Sequence, residues 1–160
     1  MLLRDGTVTA SRILSDRDNG YTRVLVSLVE ARIPATLPVG IHEDAGTEPT
    51  GTSVAQVADW NEFGTDRIPA RSFIGAFVEE NENQIEADLE RCAEEYTRGR
   101  DGKQMLTRLG LRYVGLIQQR IASGIAPPNS PATIARKGSS TPLIDTGQLR
   151  SSIRSKVDGE

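Results

Sequence analysis

The apolar positions fall into strand-like and helix-like stretches. Within residues 22–33, Val24, Val26 and Leu28 occupy alternate positions in a β-branched run, the mark of a half-buried strand that Pro34 stops. Residues 37–42 read as a second short strand, and the Gly-, Thr-, Asp- and Pro-rich stretch 43–52 as a surface loop. Ser53 stands before Val54, Val57, Ala58 and Trp60 as an N-cap before a helical spacing, and Gly64 suits the left-handed position beyond the helix end. A long helix is predicted over 72–96, with Phe73, Phe77, Val78, Ile85, Leu89, Cys92 and Tyr96 on one side. Gly99 and Gly102 break it, and a second helix over 103–122 carries Leu106, Leu109, Tyr113, Leu116, Ile117 and Ile121 as a stripe. The two stripes read as a helical hairpin.

From Gly124 onward the chain turns to Pro, Ser, Thr and Gly; Pro127, Pro128, Pro131 and Pro142 exclude a long helix. Ile153 and Val157 mark a final strand over 151–157. The pattern predicts an α+β fold: a small, mainly antiparallel sheet packed against a long helical hairpin, with an extended, loop-rich C-terminal segment. One domain spans 1–160, with 1–21 as a loosely packed arm or short helical turn and 124–150 as loop.

Composition adds a modest core: apolar residues are 37% of the chain and aromatics 4%. The net charge of −3 points to neither a nucleic-acid nor a membrane-surface protein as a whole. The charges are segregated, however. Residues 79–96 carry Glu79, Glu80, Glu82, Glu86, Asp88, Glu90, Glu94 and Glu95 against Arg91 alone, whereas the bases of 98–157 face only Asp101 and Asp145. Such patches are either two solvated faces or surfaces that meet on neighbouring copies. One cysteine, Cys92, excludes an internal disulfide and a cysteine zinc site. Without a leader-like N-terminus or a run of about 18 apolar residues, a protein made in a reducing compartment, with no membrane partner, is expected.

Catalytic signals are thin. Leu143-Ile144-Asp145-Thr146-Gly147 matches the pattern around an aspartic-protease carboxylate, but Gln148 stands where a small residue is usual, and a capped turn accounts for the same residues. His42, the one histidine, adjoins Glu43 and Asp44, whose side chains on an extended strand would point to opposite faces. No phosphate-cradling glycine loop occurs. Arg136 and Lys137, in the Ser/Thr stretch 135–142, could contact nucleic-acid phosphates; without interleaved aromatics, a loop at a subunit interface fits them better. No enzyme and no cofactor are expected.

Val57-Ala58-Asp59-Trp60-Asn61-Glu62-Phe63-Gly64-Thr65 followed by Ile68-Pro69-Ala70-Arg71-Ser72-Phe73 resembles a pattern in tail-completion and head-tail joining proteins of tailed bacteriophages. Pro127-Pro128-Asn129-Ser130, Lys137-Gly138-Ser139-Ser140 and Pro142-Leu143-Ile144-Asp145-Thr146-Gly147-Gln148-Leu149 look like the same proteins' closing segment. The resemblance covers about residues 37–157. It implies a virion subunit of the neck or head-proximal tail end, assembled in the host bacterial cytoplasm as a ring, typically a homo-hexamer. Its partners would be the head connector or stopper and the tail tube protein, with DNA passing but not specifically bound. Interface candidates on this reading are Trp60, Phe63, Arg71, Phe73, Arg136, Lys137, Asp145, Thr146, Leu149 and Arg150; Trp60, Phe63 and Phe73 read first as core and only second as interface anchors. Arg71 would pair with Glu62 or with a neighbour. Glu79, Glu82, Glu86 and Glu90 are candidates to face the channel, where negative charge keeps DNA from sticking. The alternatives are a nucleic-acid-binding accessory protein using the basic C-terminal half and, remotely, an aspartic protease.

Overall fold

The computed structural model describes residues 14–16, 23–27 and 35–159. The rest of the predicted N-terminal arm and of the 22–33 strand lies outside the described residues. Strands β1 (Leu14–Asp16), β2 (Arg23–Ser27) and β3 (Ala35–Ile41) pair antiparallel in sequence order, with Leu14 opposite Leu25 and Val24 opposite Val39. Residues 14–16 are thus a strand and not the arm or helical turn that their polar surroundings predict. The last strand returns to the other side of β3 in two pieces, β4 (Ile153–Ser155) and β5 (Asp158–Gly159), giving a five-stranded antiparallel sheet.

Pro38 explains the division of that last strand. A proline offers no N–H, so a central strand tolerates it only where the ladder is interrupted. The N and O of one strand residue face the same neighbour, and the Pro38 carbonyl accepts from Lys156 N at 3.1 Å. The missing donor therefore faces the gap between β4 and β5.

Helix α1 (Val54–Phe63) follows a 3-10 turn at Glu43–Ala45. Ser53 is its N-cap residue but makes no side-chain cap bond, and Val54 N instead reaches Gly46 O at 3.1 Å. Gly64 has the positive φ expected, 76°, but with ψ 171°, so the chain leaves the helix extended and not through a left-handed turn.

The helix predicted over 72–96 is two: α2 (Gly75–Glu80) and α3 (Glu82–Thr97), broken at Asn81, whose side chain donates to Phe77 O at 2.8 Å and competes with the backbone ladder. Gly99, with φ 86°, ends α3. Gly102 does not break a helix; it opens α4 (Gly102–Ser123), behind an Asp101 cap that accepts from Gln104 N at 3.0 Å. The two stripes do face each other. Ile85 and Leu89 of α3 join Leu106, Leu109, Tyr113, Ile117 and Ile121 of α4 in one core, which takes in Leu37, Val39 and Ile41 of β3.

The C-terminal prolines do not abolish helix altogether. Ser130 caps α5 (Pro131–Lys137), accepting from Thr133 N at 3.2 Å; Pro131 stands at the helix start and Gly138 ends it in the left-handed conformation. A single turn, α6 (Gln148–Ser151), precedes β4. Among the described residues no helix is long and apolar enough to cross a membrane.

Candidate assembly site

The end of α1, residues 71–75 and Pro127–Pro128 meet at one junction. At the end of α1, the Glu62 side chain is buried at 5% exposure and faces the uncapped start of α2. Its Oε2 accepts from Phe73 N (2.8 Å) and Ile74 N (3.1 Å), and its Oε1 from Gly75 N (2.7 Å) and Ser72 Oγ (2.6 Å). These backbone donors are the ones a helix start leaves without partners, and a carboxylate there also meets the positive end of the helix dipole. Gly75 allows the approach, since a Cβ there would stand 3.0 Å from Glu62 Oε1. Gly64 brings the two strands of the junction together, because a Cβ on it would lie 2.9 Å from Ala70 N.

Arg71 donates its backbone N–H to Asn61 O at 2.6 Å, while its guanidinium turns away from Glu62. Nε reaches Pro127 O at 2.8 Å and Nη2 reaches Pro128 O at 3.3 Å. Of the two partners open to Arg71, Glu62 is not the one it takes: the carboxylate is filled by the start of α2, and the guanidinium holds carbonyls that lack helix or strand partners. Burial lowers the Arg71 pKa from its ordinary value.

The Asp145-Thr146-Gly147-Gln148-Leu149 segment is a second latch. Thr146 Oγ1 accepts from Gln148 N at 3.1 Å and donates to Glu48 at 3.3 Å, Gln148 Nε2 donates to Thr47 O at 2.9 Å, and Gly147 takes φ 81°. Thr146 thus caps the turn, and Leu149 enters the core. Asp145 remains exposed.

Between these latches, residues 124–141 contain no buried position, and α5 buries nothing. The excursion is rooted by Ile125 at one end and by Leu143 and Ile144 at the other, which pack on the core. It is closed on itself by Asn129 Nδ2 to Ser140 O (3.1 Å) and by Lys137 Nζ to Thr141 O (2.7 Å) and Ile144 O (2.5 Å). Partial burial lowers the Lys137 pKa, a shift that Asp145 opposes.

The interface candidates therefore separate. Phe73 and Leu149 are core, and Arg71 at 8% exposure is sequestered in the junction, so none of the three offers a surface anchor. Trp60 and Lys137 are half-buried, and Phe63, Arg136, Asp145, Thr146 and Arg150 are exposed. Glu79, Glu82 and Glu90 are exposed and Glu86 is half-buried. His42 is half-buried, with Nε2 buried and without a hydrogen-bond partner among the described residues. No group of three or more His, Cys, Asp or Glu side chains that could hold a metal occurs among the described residues.

Part of the charge pattern is also used within the chain. Arg120 of α4 pairs with Glu80 of α2, and Arg112 of α4 reaches Asp88 of α3 at 2.8 Å. Arg98 and Arg100 take Glu95 at 2.6 and 3.3 Å. Asp88, counted by sequence with the solvated acids, is buried at 4% and also accepts from Gln84 (3.0 Å) and Tyr113 (3.2 Å). Its place was readable, since Asp88 stands three residues after Ile85 and beside Leu89 on the apolar face. Glu62 had no comparable signal, as its partners are backbone groups ten or more positions on.

The chain matches no known protein family, curated protein or solved structure in any of three comparisons. The reading of its function rests on these residues and their geometry.

Proposed function

We propose that this chain is a non-catalytic virion protein of a tailed phage, a neck or tail-completion subunit. Copies of it form a ring, typically of six, between the head connector or stopper and the tail tube, through which DNA passes without specific binding. The observation that carries this reading is the division of labour around the junction. Glu62 and Arg71 from buried positions, and Thr146 and Gln148 nearer the surface, hold separate segments together, and residues 124–141 lie outside the core. A segment ordered at both roots and buried nowhere is suited to contact with another subunit. Modest cores of this kind gain stability from neighbours.

The test is the mass of the purified chain by light scattering coupled to size exclusion, alone and mixed with partner virion proteins. A closed oligomer, formed alone or on a partner, supports the ring. A chain that stays monomeric with every partner overturns it and turns attention to DNA binding by the basic C-terminal half, for which affinity should then fall steeply with salt.

A further inference from the structure

The acids of α2 and α3 divide into two groups. Glu80, Asp88, Glu94 and Glu95 have arginine partners within the chain. Glu79, Glu82 and Glu90 have no ion pair among the described residues and stand exposed. Glu82, Glu86 and Glu90 follow one another at a spacing of four within α3 and so share one side of it, and Glu79 stands near the end of α2, just before the break.

The excursion presents the complementary chemistry. A seven-residue helix is well below the length, about 12 residues, at which even favourable sequences persist alone. Here α5 is kept by its caps and roots and not by burial of a face. It exposes Ile134 and Arg136, flanked by Pro127, Pro128 and Pro131, and Arg136 has no ion pair among the described residues. The two side chains stand two positions apart and so on different sides of α5, and the unpaired arginine is of the type enriched in interface anchors.

We propose that α5 of one copy seats on the acidic α2–α3 face of a second copy of this chain, with Arg136 set against Glu79, Glu82 and Glu90. The two surfaces are different patches of one molecule, so the contact is head-to-tail and repeats from copy to copy until the ring closes. The inference rests on the assembly reading above. It moves the acidic stripe from the bore of the ring to the boundary between subunits.

The test uses the full chain, with the partner virion proteins where assembly requires them. Arg136→Glu is expected to weaken association by at least about tenfold, because like charges facing one another across an interface are strongly unfavourable. Adding Glu82→Lys and Glu90→Lys to that variant restores association, since the charges are exchanged and not removed. All three positions are exposed, so the far-UV circular dichroism stays at the parent value, and the unfolding midpoint moves only by the small cost of a lysine in the first turn of α3. A second measurement is independent of charge: in a Cys92→Ser background, Arg136→Cys with Glu82→Cys gives, on oxidation, a ladder of disulfide-linked copies. Arg67→Cys with Glu82→Cys gives none. Assemblies whose affinity ignores Arg136→Glu, and whose cysteines at 136 and 82 do not cross-link, overturn this proposal alone. A wild-type chain that never assembles overturns the ring itself.

Discussion

Glu62 is the residue on which most of the local structure turns. A carboxylate at 5% exposure persists because its donors replace water, and three of the four are backbone N–H groups that cannot move away if it is lost. Glu62→Ala leaves those groups buried and unpaired, and the expected loss is about 3–5 kcal/mol, read as a lower urea midpoint with unchanged slope. Glu62→Gln keeps one acceptor oxygen but turns an NH₂ toward donors, and should lose about 1–3 kcal/mol. Equal losses for the two variants would show that side-chain volume, and not the acceptor pair, matters there. Residue type made a partnership of Glu62 with Arg71 legible as a possibility, but not the partners each takes. Opposite charges suggest a pair; the backbone groups that claim both side chains carry no letter in the sequence.

At the scale of elements, hydrophobic period and punctuation were legible and backbone competition was not. The facing stripes and the strand regions at 22–33, 37–42 and 151–157 follow from spacing. The break at Asn81 and the late start of α2 do not, since Asn81 reaches Phe77 O and residues 72–74 are held by Glu62. Helix α5 was readable from Ser130, Pro131 and Gly138, because a proline opening a helix is a start signal and not a breaker. Two glycines of α4 test the packing of this helix on the sheet. A Cβ at Gly110 would stand 2.7 Å from Leu37 Cδ1 and from Ser155 Oγ, whereas one at Gly115 meets nothing within 4 Å. Gly110→Ala should therefore destabilise by about 1–3 kcal/mol through overpacking between α4 and the strands. Gly115→Ala should stabilise by about 0.5–1 kcal/mol through helix propensity. The same substitution on one helix thus acts in opposite directions, and thermal midpoints of the two variants decide it.

For the whole molecule, part of the charge segregated along the sequence is used in clips between elements, and this predicts how stability depends on pH. The hydrogen bond from Arg120 holds the Glu80 carboxyl below its ordinary value of 4.5, and that from Arg154 holds Asp44 below 3.8. In each case the unfolded chain binds the proton more readily, so the stabilisation is present above the ordinary value and lost as the pH falls through the depressed one. Glu80→Gln should flatten the fall of the unfolding midpoint below pH 4.5, and added salt should shrink the difference from wild type, because the pair is exposed and screened. The alkaline side has the opposite sign. Burial, then the charge of Asp88 and the hydrogen bond to it, raise the Tyr113 phenol above its ordinary value of 10.0, so the folded chain keeps that proton longer than the unfolded one. Tyr113 therefore contributes a loss of stability as the pH rises beyond 10, and Tyr113→Phe should shrink the alkaline decline. An alkaline slope unchanged by Tyr113→Phe would assign it to other groups, among them the Cys92 thiol, which burial also raises above its ordinary value of 9.0.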